Sequence, residues 1–554
     1  MFGVRGMQER DLNSATHCGA GCSTYRRCGI RATPRGSAPR TGLAVDSRVV
    51  AGASWQWARD LRFPLRDSLD SGRLNTVRQK REAYETLSRV SAEAVPPPPL
   101  ALGLLARGTA FFARTGMSPS VFKGAAWSIG GMASGAVASF VVQVILARAL
   151  EATSYGVYSY LLAWVSVAVL IGKLEFDTAA LRFIATYDGQ RQDGLLRGFW
   201  QYGWRVVSRT ATGVALVAGV GAWLLRRHLH QGIEAGFWAA CVLVPLNALL
   251  LFSSSTLQGF RRVPQSQLPQ LLLRPVLFGV GILLVEAVLG LQLGAGGAVA
   301  LNAAATAVAL GVSLFLLRHA APKSALAAPP AFEAATWRRV ARSFLVMSGA
   351  QLVLSTQSDI LVVGTLLSPS DAGLYSAASQ LAGLTMLGAQ AVIFVVLPMV
   401  SDLHARGRQA ELQLLVVRTV QGCAAITIPV VVLLLAGGRV VLHAYGPVFR
   451  DAYPILAVLT IGQLMGATMG IISGFLLTMT GHERAASRMV VGTALLNLAL
   501  TFVLTPAFGG VGAAVATVAA GFTRVGLLSR YAKRYVGVAV RPYISTRQPT
   551  VEGA

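Results

Sequence analysis

The chain has 554 residues, of which 54% are hydrophobic and only 13% are charged, whereas average soluble domains carry about 25% charged residues. Its mean hydropathy is +0.56, and its formal net charge of +25 comes from 49 Lys and Arg against 24 Asp and Glu. This composition is typical of a membrane protein and leaves no polar domain large enough to bind nucleic acid. The five cysteines show neither a disulfide framework nor zinc spacing, so we expect no metal site and no cofactor.

Residues 1–116 differ in kind from the rest of the chain. They contain no apolar stretch long enough to span a bilayer, and prolines occupy positions 96–99. The segment lacks the order of a signal peptide, in which a charged start leads promptly into an apolar core. Two interpretations remain open: translation begins later, at Met117, or the segment is a disordered cytoplasmic tail.

From residue 117 onward, apolar runs alternate with short charged connections. The runs are long enough to cross about 30 Å of hydrocarbon as helices, whereas barrel strands would run only about ten residues each. The sequence therefore predicts an all-α integral membrane protein with about twelve transmembrane helices. The predicted spans are residues 125–147, 155–172, 206–225, 237–256, 268–289, 297–317, 343–367, 373–399, 414–436, 453–479, 489–506 and 510–529.

Basic residues fall mainly on one side of these predicted spans. The terminal segments after residue 116 and the even-numbered connections hold 24 Lys and Arg, while the odd-numbered connections hold 5. Because cytoplasmic loops carry the excess of positive charge, this count predicts that both termini are cytoplasmic. The long connections 173–205 and 318–342 lie on the same predicted side, which leaves no outer loop large enough for a catalytic domain.

The two halves of the apolar region resemble each other at a nearly constant offset. The sequence Gly-Val-Tyr-Ser at 156–159 matches Gly-Leu-Tyr-Ser at 373–376, and residues 258–261 and 297–300 match residues 480–483 and 513–516. Since six spans separate the equivalents, the halves form a parallel repeat. We expect two six-helix lobes around a central cavity, 117–318 and 343–531, joined by a cytoplasmic linker at 319–342 and followed by a tail at 532–554. Chance similarity between helices rich in Ala, Gly and Leu is the alternative.

Four short motifs resemble one family in their order along the chain. They are Gly-Val-Tyr-Ser at 156–159, Leu-Arg-Phe-Ile-Ala at 181–185, Leu-Gln-Gly-Phe-Arg-Arg at 257–262, and Asp-Ile-Leu-Val-Val-Gly at 359–364. Together they resemble the polysaccharide biosynthesis membrane proteins, which are lipid-linked oligosaccharide flippases of the MOP exporter superfamily, related to the multidrug-efflux MATE branch.

The resemblance covers about residues 120–535 and implies a function. It implies a multi-pass protein of the bacterial inner membrane that moves an undecaprenyl-diphosphate-linked oligosaccharide to the outer leaflet. For two lobes around a central cavity, alternating access by rocking of the lobes is the expected mechanism. The implied partners are this lipid-linked substrate, the surrounding membrane lipids, a polysaccharide polymerase and glycosyltransferases. The O-antigen, exopolysaccharide and teichuronic-type subgroups stay unresolved.

Arg274 and Arg524 are the basic residues that lie inside predicted spans. A flippase for a diphosphate headgroup must replace the water around its negative charges, so cationic side chains facing a hydrated cavity are required. Each arginine lies about six residues, or 9 Å, from the cytoplasmic end of its span. We predict that they form a binding pocket for the diphosphate. The alternative is that both side chains snorkel to the interface.

Acidic residues inside the spans suggest a second site. Gln351, Ser355 and Asp359 recur every four residues and are predicted to form one polar stripe on a helix. A carboxylate at this depth favours a proton- or Na⁺-coupling site, or a contact for sugar hydroxyls, over a structural hydrogen bond. Glu286 lies near the outer end of its span and is interpreted first as an interfacial charge and second as a gate residue. Tyr158 and Tyr375 fit an aromatic belt.

Two other functions remain as alternatives to the flippase. A cation-coupled multidrug antiporter of the same superfamily would suit Asp359 but would not need Arg274 and Arg524. A membrane enzyme acting on lipid-linked sugars would need a substantial outer loop with acidic or histidine residues, which the sequence lacks. ATP hydrolysis is not supported, because no Walker-type glycine motif occurs in a cytoplasmic segment.

Overall fold

The structure is a computed structural model that describes residues 119–225, 234–288 and 290–540. The leader expected at residues 1–116 lies outside the described residues. Within them the chain forms helices and no strand. The α-helices are α1 Pro119–Lys173, α2 Phe176–Gly189, α3 Asp193–Leu225, α4 Glu234–Gly259, α5 Val263–Gln267, α6 Arg274–Leu283, α7 Ala295–Ala320, α8 Lys323–Ala327, α9 Ala334–Val353, α10 Thr356–Leu366, α11 Pro369–Gly383, α12 Met386–Ala405, α13 Gln409–His443, α14 Tyr453–Met465, α15 Ile471–Met479 and α16 Glu483–Val536.

The two longest helices are each long enough to cross a membrane twice. The apolar part of α1, Ser134–Lys173, has 40 residues, and that of α16, Ala485–Val536, has 52. At 1.5 Å per residue these lengths are about twice the thickness of the hydrocarbon core. Each helix contains one residue with non-helical backbone, Glu151 with φ 58° and Gly509 with φ 62°. Both residues lie between two predicted spans, so each marks the corner of a helical hairpin.

The remaining predicted spans also fall on helices. Eight helices of the described residues are long and apolar enough to cross a membrane, or nine if α9 and α10, which meet at 54°, count as one span. Two of the eight contain the double lengths just described, and the predicted span 373–399 falls on α11 and α12. The prediction of an all-α membrane protein with about twelve transmembrane helices is therefore confirmed. We call α1–α7 the N-terminal lobe and α10–α16 the C-terminal lobe.

The segment expected to be a linker is docked on the N-terminal lobe. Trp337, in the first turn of α9, is fully buried, and its indole N–H donates to the Tyr187 hydroxyl at 3.0 Å. Its ring packs edge-on against that of Phe199, with 5.3 Å between the ring centroids. The Ala331 N–H donates to the Gly194 carbonyl at 2.9 Å. The start of α9 is thus attached to α2 and α3. We call this end of the lobes the linker face and the opposite end the distal face.

The first part of the expected tail is also ordered against a lobe. Helix α16 continues to Val536, and the Gln413 side chain both donates to the Ala539 carbonyl at 2.8 Å and accepts from its N–H at 2.7 Å. Residues 541–554 lie outside the described residues.

The two lobes touch through the repeated glycine motif. A Cβ atom added to Gly156 of α1 would lie 1.7 Å from the Pro369 carbonyl oxygen, and one added to Gly373 of α11 would lie 2.7 Å from the Ala152 carbonyl oxygen. Gly156 and Gly373 are equivalent in the repeat, and Ala152 and Pro369 are separated by the same offset. The contact is therefore reciprocal, with each copy of the motif using its glycine to approach the backbone of the other. We call this contact the glycine seam.

Replacement of Gly156 by Ala should force α1 and α11 apart at this seam. We expect Gly156→Ala to destabilise the protein by about 1–3 kcal/mol, as overpacking does, although Ala favours a helix interior by about 1 kcal/mol over Gly. The control is Gly213→Ala in α3, where a Cβ would meet nothing within 4 Å. Thermal unfolding of the purified proteins in detergent measures the difference. Equal unfolding temperatures for the two variants would contradict the close contact.

Candidate functional site

Arg274 is the centre of a buried polar cluster in the N-terminal lobe. Its Nε and Nη2 atoms donate to Asn302 Oδ1 of α7 at 3.2 and 3.1 Å. Asn302 Nδ2 in turn donates to the Tyr158 hydroxyl of α1 at 2.8 Å. Asn302 and Tyr158 are both buried. The guanidinium is therefore directed into the lobe by a buried amide. Sequence reasoning missed Asn302, and we call these three residues the cationic cluster.

The local sequence explains how Arg274 comes to this position. It begins α6 directly after a π-helical turn, Leu268–Leu273, and is followed by Pro275. Proline has no N–H to donate to the preceding turn, so the regular α-helical pattern cannot continue unchanged through Pro269 and Pro275. The resulting irregular backbone lies between α5 and α6, at the start of the predicted span 268–289.

Asp359 is the centre of a second buried cluster, in the C-terminal lobe. Its Oδ2 atom accepts from the Tyr375 hydroxyl of α11 and from Thr517 Oγ1 of α16, both at 2.8 Å. The side chain of Asn497 lies beside it. Among the described residues, Asp359 Oδ1 and Asn497 Oδ1 are buried and have no hydrogen-bond partner. Buried acceptors without donors are exceptional in proteins, and a proton or a cation would satisfy them.

The predicted stripe of Gln351, Ser355 and Asp359 is wrong, because the helix does not run through it. Helix α9 ends before Ser355 and α10 begins after it, with a bend of 54° between them. Gln351 lies exposed on α9, whereas Asp359 lies buried in the first turn of α10. In that position the positive end of the α10 dipole stabilises the carboxylate.

Serine side chains explain why the helix breaks here. Ser355 Oγ donates to the Leu352 carbonyl at 2.6 Å, and Ser358 Oγ donates to the Val353 carbonyl at 2.6 Å. Asn497 Nδ2 also donates to the Val353 carbonyl, at 3.1 Å. Such side chains offer the backbone alternatives to helical hydrogen bonds. The Val353 carbonyl therefore keeps hydrogen-bond donors although the helix is broken there. The break lies four residues before Asp359.

Tyr158 and Tyr375 occupy equivalent positions in the two clusters. They are 217 residues apart in the repeat, and both are buried inside their lobes. The prediction that they belong to an aromatic belt is therefore wrong. Each hydroxyl instead contacts the buried polar group of its own lobe, through Asn302 in one case and directly at Asp359 in the other. Their place in the repeat was the sequence signal that could have identified them.

Arg524 and Glu286 lie apart from the cationic cluster. Arg524 is half-buried in α16 and lines a cavity of about 80 Å³ together with Thr517, Gln463 and Gly466. Thr517 and Arg524 are seven residues apart and so share one helix face, about 10 Å from each other. Glu286 lies half-buried in the π-helical turn Leu284–Val288. Across the described ranges, no hydrogen bond or ion pair joins Arg524 to Arg274, or Glu286 to either cluster.

A third ionic group fixes the corner between α1 and α2 at the linker face. Lys173 Nζ lies 2.5 Å from Glu175 Oε1 and 2.8 Å from Asp177 Oδ2. The pKa of the Asp177 carboxyl is raised because burial outweighs the attraction of Lys173. Leu174 and Glu175 adopt left-handed backbone, with φ 47° and 59°. The buried ion pairs hold this sharp corner in place. In the part of the chain that the structure describes, no group of three or more His, Cys, Asp or Glu could hold a metal ion.

Comparison with solved structures identifies the fold. An inward-facing multidrug resistance MATE transporter of the MOP superfamily matches with a TM-score of 0.60, at 12% identity over 73% of this chain and 94% of that one. The Lipid II flippase MurJ, in an inward closed conformation, matches with a TM-score of 0.56, at 14% identity over 73% of this chain and 86% of that one. The chain thus has the fold of these two proteins.

Comparison of sequences identifies the family. The family model for polysaccharide biosynthesis protein matches residues 121–404, and the chain belongs to this family. It is also similar to the probable low-salt glycan biosynthesis flippase of Haloferax volcanii, with 27% identity over 181 residues. That match covers 32% of this chain and spans 38% of the length of the archaeal protein.

Replacement of Asn302 by an apolar residue should destabilise the protein, because the buried cation of Arg274 loses its hydrogen-bond acceptor. In Asn302→Leu, the Arg274 guanidinium and the Tyr158 hydroxyl both lose their partner, and each unsatisfied buried group costs about 1–3 kcal/mol. Asn302→Asp is the matched variant, since its carboxylate still accepts from Arg274. We expect the unfolding temperature to fall more for Leu than for Asp, as measured by thermal unfolding in detergent. A leucine variant as stable as the native protein would contradict the assigned contacts.

Proposed function

We propose that the protein is a flippase that moves an undecaprenyl-diphosphate-linked oligosaccharide across the bacterial inner membrane by alternating access of its two lobes. Membership of the polysaccharide biosynthesis family supports a lipid-linked glycan as the class of substrate. The names of a glycan biosynthesis flippase and a Lipid II flippase among the similar proteins support the same class. In this proposal the protein carries out transport without covalent chemistry, between glycosyltransferases that build the substrate and a polymerase that consumes it.

The observation that carries the proposal is the cationic cluster. A guanidinium has five N–H donors, and Asn302 accepts from only two of those of Arg274. The remaining donors suit the oxygens of a phosphate group, which arginine binds in a bidentate manner. A charge in a membrane span is costly, so an arginine held inward by a buried amide favours a functional role over snorkelling. Arg274 is therefore the proposed diphosphate contact of the N-terminal lobe.

Arg524 is the proposed second contact, on the C-terminal lobe. It lines a cavity, and no described residue forms a hydrogen bond or ion pair with it. Because the two arginines lie on different lobes, a bound diphosphate would attract both and favour a state in which the lobes close around it. Release would then follow when the lobes separate at the other end.

Asp359 is the proposed coupling site, for H⁺ or Na⁺. Its unpartnered oxygen, together with that of Asn497, suits a proton or a small cation. The site adjoins the break between α9 and α10, and α9 is attached through Trp337 to the N-terminal lobe. Occupancy at Asp359 would therefore act where one span connects the two lobes. Asp359 would also suit a drug antiporter of the MATE type, whereas the cationic cluster would not.

The proposed orientation places the linker face in the cytoplasm. The linker, α2 and the start of α3 lie on the side where the sequence has its excess of basic residues. Both chain termini would then be cytoplasmic.

Loss of the cation at residue 274 should reduce lipid transport. We expect Arg274→Gln to lower the rate of translocation of an undecaprenyl-diphosphate oligosaccharide about tenfold or more, since hydrogen bonds to charged groups contribute about 1.5–3 kcal/mol. The assay uses proteoliposomes and a fluorescent substrate whose outer-leaflet fraction is quenched. Arg262→Gln, at an exposed position of the linker face, is the control and should retain the native rate. Equal rates in the two variants would exclude Arg274 from the site. Native protein that exports cationic drugs but moves no lipid-linked sugar would favour the antiporter.

Loss of the carboxylate at residue 359 should remove ion dependence. In proteoliposomes with an imposed H⁺ or Na⁺ gradient, we expect the native protein to accelerate in one of the two gradients and Asp359→Asn to be insensitive to both. Asp402→Asn is the control, because Asp402 forms an exposed ion pair with Arg406. A gradient response retained in Asp359→Asn would place coupling elsewhere.

A further inference from the structure

Three arginines and a histidine converge at the distal face. They are Arg148 at the end of the first crossing of α1, Arg439 and His443 at the end of α13, and Arg450 in the short 3₁₀ helix that precedes α14. They line two adjoining cavities of about 580 and 620 Å³, and His443 lines both. We call these cavities together the distal basin.

The distal basin lies directly over the junction of the two lobes. The larger cavity is lined from the N-terminal lobe by Arg148 and Ala152 and from the C-terminal lobe by Ser370 and His443. Ala152 is a member of the glycine seam, and Ser370 follows Pro369 of the same seam. Any passage that opened between the lobes at this end would therefore lead into the basin.

Contacts across the lobes close the floor of the basin. Arg148 Nε donates to the Ala444 carbonyl at 2.6 Å. The ring of Tyr155 packs edge-on against that of Phe449, with 5.6 Å between the ring centroids. Arg148 thus lines the basin and also forms a hydrogen bond between the lobes. A ligand that attracted its guanidinium would compete with the hydrogen bond to Ala444.

The basin has an excess of positive charge with free donors. Two carboxylates, Glu151 and Asp451, also line the cavities. Among the described residues, neither forms an ion pair with Arg148, Arg439 or Arg450. The Arg439 guanidinium lies over the Tyr453 ring, 5.0 Å from its centroid. Three guanidinium groups against two carboxylates therefore give the lining of the basin an excess of positive charge.

The distribution of charge along the sequence makes this cluster notable. In the sequence, the odd-numbered connections contain five basic residues, and three of them are the arginines of the basin. Loops on this side of a membrane protein are otherwise depleted of Lys and Arg. Three of the few cations predicted for this side therefore lie at the lobe junction.

We propose that the distal basin is an anion site that receives the diphosphate headgroup of the substrate after translocation, before the lipid enters the outer leaflet. This inference rests on the proposed function and extends it to the release step. The chemistry is that of arginine forks on phosphate oxygens. A phospholipid headgroup offers the same chemistry, so the experiment must separate the two sources.

The test measures binding without transport. Full-length protein with Arg274→Gln and Arg524→Gln, which lacks the proposed inner contacts, is titrated with farnesyl diphosphate by isothermal calorimetry in detergent. We expect this background to retain one site. Adding Arg439→Gln and Arg450→Gln should weaken that site about tenfold or more. The matched control adds Arg338→Gln and Arg339→Gln, which removes two exposed charges from the linker face and should leave binding unchanged.

Three outcomes would overturn the proposal. In the first, the Arg274→Gln, Arg524→Gln protein binds no farnesyl diphosphate. In the second, the two linker-face substitutions weaken binding as much as the two distal ones, and in the third, the two distal substitutions leave the affinity unchanged. Inorganic diphosphate should compete with farnesyl diphosphate, and phosphatidylglycerol in mixed micelles should not. Competition by phosphatidylglycerol would assign the basin to phospholipid and overturn the substrate assignment. Thermal unfolding confirms that each variant is folded. Since no transport is measured, failure here is distinguishable from failure of the flippase assay.

Discussion

The glycine seam is the contact on which the arrangement of both lobes depends. Gly156 and Gly373 permit α1 and α11 to approach within backbone contact, and no larger side chain fits there. Tyr158 and Tyr375 follow each glycine by two residues, and two residues rotate a helix by about 200°. When the glycine faces the other lobe, the tyrosine must face its own. One short motif, present twice, therefore forms the contact between the lobes and also places a tyrosine hydroxyl in each buried cluster.

The two clusters carry opposite charges and share one pair of equivalent residues, Tyr158 and Tyr375. In the N-terminal lobe the tyrosine contacts Asn302, which holds the cation of Arg274. In the C-terminal lobe it contacts the anion of Asp359 directly. Burying either charge in a span costs free energy. Neutral polar groups from other helices offset part of that cost by hydrogen bonds, and no described contact of either cluster supplies an opposite charge. This difference in charge is the basis of the proposal that one lobe binds an anionic headgroup and the other a proton or a cation.

Hydropathy predicted the fold because run length and lipid thickness are directly related. The twelve apolar runs, the corners near Glu151 and Gly509 and the repeat could all be read in the sequence. The Gln351 stripe failed because helix continuity was assumed, while Ser355 and Ser358 satisfy the backbone in another way. Asn302 and Thr517 were missed because an isolated small polar residue in a span is usually a packing residue. Only tertiary contacts separate the two cases. Trp337 was missed for a similar reason, since its aromatic partners come from distant helices.

The central claim is that the cation of the N-terminal lobe binds the diphosphate of a lipid-linked sugar. The most direct measurement is an electron cryomicroscopy structure of the native protein in lipid nanodiscs with an undecaprenyl-diphosphate oligosaccharide bound. The account predicts that phosphate oxygens lie within about 3 Å of the Arg274 guanidinium, with Asn302 still supporting it from the other side. A bound lipid whose diphosphate lies out of reach of Arg274 would contradict the account.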